Sequence, residues 1–171
     1  TYPPPISFVQ QCTSSSSWLS YADTITCTLP APSVAGNFYG VVAGWPSIGT
    51  VVSITDADGN SFERVEPVGS RITGSFRGQA WYAKNIHGGS VPNVITLKLN
   101  CFVAYPWLKV VEYSGIDPVT PLDGSPVIVT GTGTVINPSI TTTNSNDTLL
   151  TLAALTPGQD RTAAQLRAKY R

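Results

Sequence analysis

Apolar and polar residues alternate with a period of two along much of this chain, the pattern of strands buried on one face only. Residues 6–10 (ISFVQ) open as a strand, and residues 24–29 (TITCTL) alternate strictly. Between them, residues 11–23 are polar and Ser-rich and read as a loop carrying Trp18 and Tyr21. Residues 37–45 (NFYGVVAGW) are apolar nearly throughout, as a strand covered on both faces would be. Residues 50–55 and 61–65 flank DADGN at 56–60, whose Asp-Gly and Gly-Asn steps predict a hairpin turn. Residues 75–84 form a long strand ending in a turn at 85–89, and residues 94–99 alternate again. Residues 108–113 (LKVVEY) read as a central strand followed by a Gly/Asp/Pro turn at 114–118. Residues 127–130 and 139–143 are weaker strands, and residues 148–154 are the last strong one. Short strands separated by frequent turn signals predict an all-β fold, an antiparallel sandwich of Ig-like or jelly-roll-like form over residues 1–155.

The last stretch changes character. Residues 162–171 (TAAQLRAKYR) are good helix formers, with Ala163, Leu166 and Tyr170 on one helical face and Asp160 or Thr162 available as a cap. Residues 156–171 are therefore expected to form a basic helical tail. Residues 1–160 carry ten acids and six bases, whereas the last eleven carry four bases, Arg161, Arg167, Lys169 and Arg171.

A length of 171 residues suits one domain and is enough to bury a core without metal or disulfide staples. Charged residues are 12% of the chain, about half the usual share, and the formal net charge is zero. That balance argues against nucleic acid as a partner, and the apolar share argues against disorder. Hydroxyls take the place of charge, with 17 Ser and 20 Thr. No apolar run reaches the roughly 18 residues that would insert in a membrane. There is no Met and no charged or apolar leader, so the expected chain is one whose signal peptide is already gone. Cys12, Cys27 and Cys101 match no metal spacing. An oxidising compartment would allow one bridge, and Cys12 and Cys27 are the candidates because they flank the Ser-rich loop; three buried thiols are the alternative. Hydroxyl-rich surface and a bridge together point to a secreted or cell-surface protein.

Several segments form an ordered set: GNFYGVVAGW (36–45), VSITDADGNSF (52–62), WYAKNIHGG (81–89), NVITL (93–97), LKVVEYSGIDPVTPLD (108–123) and TTNSNDTLL (142–150). As a set, spanning about residues 6–152, they resemble an uncharacterised Ig-like β-sandwich domain that recurs in secreted and cell-surface proteins of soil bacteria. The resemblance implies a sandwich in an extracellular setting and no catalytic residues. Where such domains continue with further strands, this chain turns into Pro157-Gly158 and the basic tail, a departure that predicts an open sheet edge.

Nothing assembles a nucleophile with a base. His87 is the only His and sits in a Gly-rich turn, and no G-x-S-x-G elbow occurs. Glu112, with Asp117 and Asp123 beyond it, offers paired carboxylates. Glu112 shares a face with Leu108 and Val110, however, and reads as a buried structural acid paired with Arg or Tyr. Asp56, Asp58 and Asn60 resemble the start of a calcium loop, yet Pro67 stands where its twelfth-position acid should be, and a turn explains the same residues. Lys84, Lys98 or Lys109 beside Asn or Asp would suit an isopeptide only if buried together with an acid. Trp45 and Trp81 lie in apolar strands and read as core. Trp18, Tyr105 and Trp107 lie in or beside loops and are the candidates for glycan stacking. Asn146-Asp147-Thr148 fits the N-glycosylation pattern.

Two functions follow as expectations, both non-enzymatic and without cofactor or metal. The first is an extracellular structural subunit that self-associates into an oligomer or filament. Ile6 and Phe8 would lie on a donated N-terminal strand, and Arg161, Arg167, Lys169 and Arg171 would dock on the acidic body. The alternative is a carbohydrate-binding or adhesive module using Trp18, Tyr105 and Trp107, with polysaccharide as its partner.

Overall fold

The computed structural model describes residues 5–15, 21–46, 49–65, 76–125, 127–131, 141, 147–155 and 161–168. Eleven strands run through them: β1 (Ser7–Ser15), β2 (Tyr21–Pro32), β3 (Phe38–Pro46), β4 (Val51–Asp56), β5 (Glu63–Arg64), β6 (Phe76–Ala83), β7 (Pro92–Ala104), β8 (Trp107–Ser114), β9 (Val127–Gly131), β10 (Thr148–Leu155) and β11 (Arg161–Ala168). Two antiparallel sheets, ordered β1-β8-β3-β6-β5 and β2-β7-β4, pack face to face as a β-sandwich. A third antiparallel sheet, β10-β11-β9, runs against β3 and β6 through β10. Among the described residues no helix is long and apolar enough to cross a membrane.

The alternation read from the sequence builds the core. On β2, Ile25, Cys27 and Leu29 point inward while Thr24, Thr26 and Thr28 face out. On β7, Ile95, Leu97, Leu99 and Val103 point inward. Opposite them stand Tyr39, Val41, Ala43 and Trp45 of β3, Trp81 and Ala83 of β6, and Leu108 and Val110 of β8. Fully burying one such large side chain stabilises by roughly 1.5–3 kcal/mol. β3 is apolar on both faces because it lies between β8 and β6 and its outer residues Phe38 and Val42 are also buried. Trp45 and Trp81 are core residues, and the Trp45 Nε1–H donates to the Gly49 carbonyl at 2.9 Å.

Cys12 of β1 and Cys27 of β2 form a disulfide that ties the two sheets together, with Cα atoms 5.8 Å apart. Closing a loop of this length stabilises by about 3 kcal/mol in the chain-entropy model. Cys101 is a free, half-buried thiol on β7.

Three expectations are corrected. Residues 11–15 are not loop but the second half of β1, hydrogen-bonded to β8, so the Ser-rich stretch begins as an edge strand. Ile6 packs in a small cluster with Phe38, Tyr82 and Ile116, and Phe8 pairs with Tyr113 in the five-stranded sheet. Segment 56–60 is no hairpin turn. β4 pairs with β7 in one sheet and β5 with β6 in the other, so DADGN crosses between sheets. Gly59, at φ 74°, supplies the left-handed step there. Finally, residues 161–168 are strand β11 at the centre of the third sheet, not helix. An isolated helix of this length is marginal in water, whereas the strand finds backbone partners on both β9 and β10. Lys169 and Arg171, and all of 139–143 except Thr141, lie outside the described residues.

Candidate functional site

The sandwich exposes aromatic rings at one end. Tyr21 begins β2 and pairs with Ala104 near the end of β7. Phe102 lies two residues earlier on β7, on the same outward parity as Ala104, where the β2–β7 register breaks between Ala22 and Thr24. Tyr105 follows in the short link from β7 to β8, at φ 49°. The three are 68%, 67% and 48% exposed. A single exposed side chain is ordinary, whereas several rings exposed at one end offer a surface for contact.

Trp107 is placed differently. It opens β8 opposite Gly44 and lies on the outer face of the five-stranded sheet. A methyl at Gly44 would stand 2.6 Å from Trp107 Nε1, so the indole lies directly across that glycine, half-buried. Of the aromatic residues singled out from sequence, Tyr105 is exposed, Trp107 is half-buried on the five-stranded sheet, and Trp18 lies outside the described residues. Tyr21 and Phe102, exposed here, were not among the residues singled out for stacking. Inward positions 95, 97 and 99 put every even residue of β7 outside, so carrying that alternation past Leu99 would have exposed Phe102.

The carboxylates do structural work. Glu112 is fully buried on the inner face of β8. Its Oε2 accepts from Gln10 Nε2 at 2.6 Å, and its Oε1 accepts from Asn37 Nδ2 at 2.6 Å and from the Val34 amide at 3.1 Å. Gln10 in turn clasps Ala31, donating to its carbonyl at 3.1 Å and accepting from its amide at 2.9 Å. Glu112 thus locks β1, β8 and the β2–β3 link together, through amides rather than the expected Arg or Tyr. The buried Asn37–Glu112 pair meets Gln10 and backbone, not the lysine an isopeptide needs. Lys84 instead pairs with Glu63 at 3.1 Å. Asp117 accepts from the Val119 and Thr120 amides in an exposed turn.

Asp56 holds the sheet-crossing segment in place. It accepts from the Asn60 amide at 2.8 Å, from Asn60 Nδ2 at 2.5 Å and from Asn93 Nδ2 at 2.8 Å. Asn93 also donates to the buried Tyr39 hydroxyl, which donates to Ser33. Burial pushes the Tyr39 phenol up from its ordinary pKa. Donors occupy the Asp56 oxygens, so these residues make a turn lock rather than a calcium loop. Burial and the neighbouring Asp56 charge raise the Asp58 pKa, while His87 opposes the rise. His87 is exposed, with its amide on Asn60 Oδ1 at 2.7 Å and its ring Nδ1 3.2 Å from the Asp58 carbonyl oxygen. Among the described residues no three His, Cys, Asp or Glu side chains gather as a metal site.

Arg161 and Arg167 are positions on β11, in register with Leu155 and Leu149 of β10. Comparison with protein-family models, with curated proteins and with solved structures found no match to this chain.

Proposed function

We propose that this chain is a non-enzymatic β-sandwich module of a secreted or surface-displayed protein, and that it adheres to polysaccharide through Tyr21, Phe102 and Tyr105. The exposure of these three rings at one end carries the reading. Pyranose rings present apolar C–H faces that stack on such aromatics, while their hydroxyls stay hydrated at the rim. The disulfide between the sheets agrees with an oxidising, extracellular setting. The buried, amide-saturated Glu112 supports a structural rather than catalytic use of the carboxylates.

The test is retention on insoluble polysaccharides. The Tyr21→Ala/Phe102→Ala/Tyr105→Ala variant should lose at least tenfold in retention while unfolding at an unchanged denaturant midpoint. Full retention by a folded triple variant would refute this placement of the site.

A second reading, a self-associating structural subunit, is favoured by one observation. Among the described residues β4 pairs only with β7, and Val52, at its irregularity in register, is 60% exposed. An edge strand of that kind accepts a strand from another copy. Light scattering on Val52→Lys should then show dissociation of an oligomer formed by the parent chain. A monomeric parent would remove the reading.

A further inference from the structure

The outer face of the five-stranded sheet carries a hollow of about 170 Å³. One row across the sheet runs Gln11, Val111, Gly40 and Tyr82. Tyr82 turns away to stack on Phe38 at 5.8 Å and to donate to Glu63 at 2.6 Å. Gly40 has no side chain to fill the space left, so it becomes part of the floor together with Val42 and Val111. Tyr113 and Phe8, in edge-to-face contact at 6.0 Å, form one wall. Lys109 and Gln11 stand at the other side.

The polar groups around this floor are uncommitted. Among the described residues the Lys109 ammonium meets no carboxylate, and neither the Gln11 amide nor the Tyr113 hydroxyl has a hydrogen-bond partner. An apolar floor, an aromatic wall, two neutral hydrogen-bonding groups and one unpaired cation describe a ligand. It has a C–H face, hydroxyls on its periphery and one negative charge. The hollow is smaller than the roughly 300 Å³ at which drug-sized pockets begin, which limits the guest to a single ring.

We infer that this hollow binds one uronic acid residue of an acidic polysaccharide. The pyranose face lies against Tyr113 and Phe8, the carboxylate pairs with Lys109 in a charge-assisted hydrogen bond, and hydroxyls reach Gln11 and the Tyr113 hydroxyl. The site is on the opposite sheet from Tyr21 and Phe102 and stands whether or not that aromatic end binds sugar.

The experiment is calorimetric titration of the whole chain with trigalacturonic acid, with the neutral trisaccharide cellotriose and sodium acetate as controls. Trigalacturonic acid should bind at least tenfold more tightly than cellotriose, and acetate should not compete at equal concentration. Lys109→Gln should lose at least tenfold in affinity, and Gln11→Ala should lose severalfold. Both positions are on the sheet surface, and an unchanged unfolding midpoint would show that the fold is kept. The Tyr21→Ala/Phe102→Ala/Tyr105→Ala variant should bind trigalacturonic acid as the parent does. Four results would overturn the inference: no binding, binding indifferent to Lys109→Gln, full competition by acetate, or loss of binding only in the triple variant. The last would move the acid site to the aromatic end.

Discussion

On the three-stranded sheet, the outward residues Thr24, Thr26, Thr28, Lys98 and Asn100 are all exposed. On the five-stranded sheet, the outward residues Phe38, Val42, Ala80 and Val111 are buried, and only towards the edge strand β1 do Phe8 and Gln11 come into the open. The two inner faces meet in one core and are alike. The difference lies in what each outer face meets. One sheet is a half-buried wall whose hydroxyls face solvent. The other is a middle layer, with β10 running against β3 and β6 and residues 115–123 folded over Phe38 and Tyr82. A sandwich with one wet and one covered face has two kinds of surface for partners. Exposed rings stand out at the wet sheet's end, and the covered sheet offers a hollow where its cover and side chains leave a gap.

The contrast can be broken most strongly at Phe38. Phe38→Asp places an unpaired charge on the covered side, against Tyr82 and Ile116, and should cost about 5 kcal/mol, read by urea unfolding. A cost below about 1 kcal/mol would show that this face is open after all. Glu112→Leu attacks the core that both sheets share. It strands the Gln10 and Asn37 amides and the Val34 N–H, and should cost about 4 kcal/mol by the same measurement.

Tyr82 sharpens the comparison through pH. Burial first, then its bond to Glu63, raises its pKa to about 12. The unfolded phenol titrates near its ordinary value of 10.0. Below that pH the stabilisation is fully present. Between there and about 12 the unfolded chain loses the proton while the folded one keeps it, so stability falls as pH rises. Tyr82→Phe should remove that part of the alkaline slope and cost about 1 kcal/mol at neutral pH. The smallest effect belongs to the wet face. Thr26→Lys, on the outward side of β2, should change stability by no more than about 0.5 kcal/mol.

Periodicity made most of the strands legible. Where one face is buried, a period of two shows in the residues themselves, as at TITCTL. Where both faces are buried, the run of apolar residues at NFYGVVAGW shows that instead. Partner choice was not legible in the same way. DADGN has the local chemistry of a hairpin turn, yet β4 pairs with β7 and β5 with β6, partners far along the chain that the local residues do not encode. The tail shows the same limit. Ala, Gln, Leu and Arg favour helix locally, but the hydrogen bonds offered by β9 and β10 outweigh a preference worth a few tenths of a kcal/mol per residue. The hollow at Gly40 was invisible for a related reason. It is made of residues from three strands, and only the register of β1, β8 and β3 brings them together.

The bridge between Cys12 and Cys27 also has a mechanical meaning. If the chain is pulled from the N-terminal side of β1, tension enters at Ser7 and reaches the sulfur atoms at Cys12. There it crosses covalently to β2 and the opposite sheet. A pull on β1 is therefore passed to the second sheet by a covalent bond at Cys12 and not by the hydrogen bonds of β1 to β8 alone.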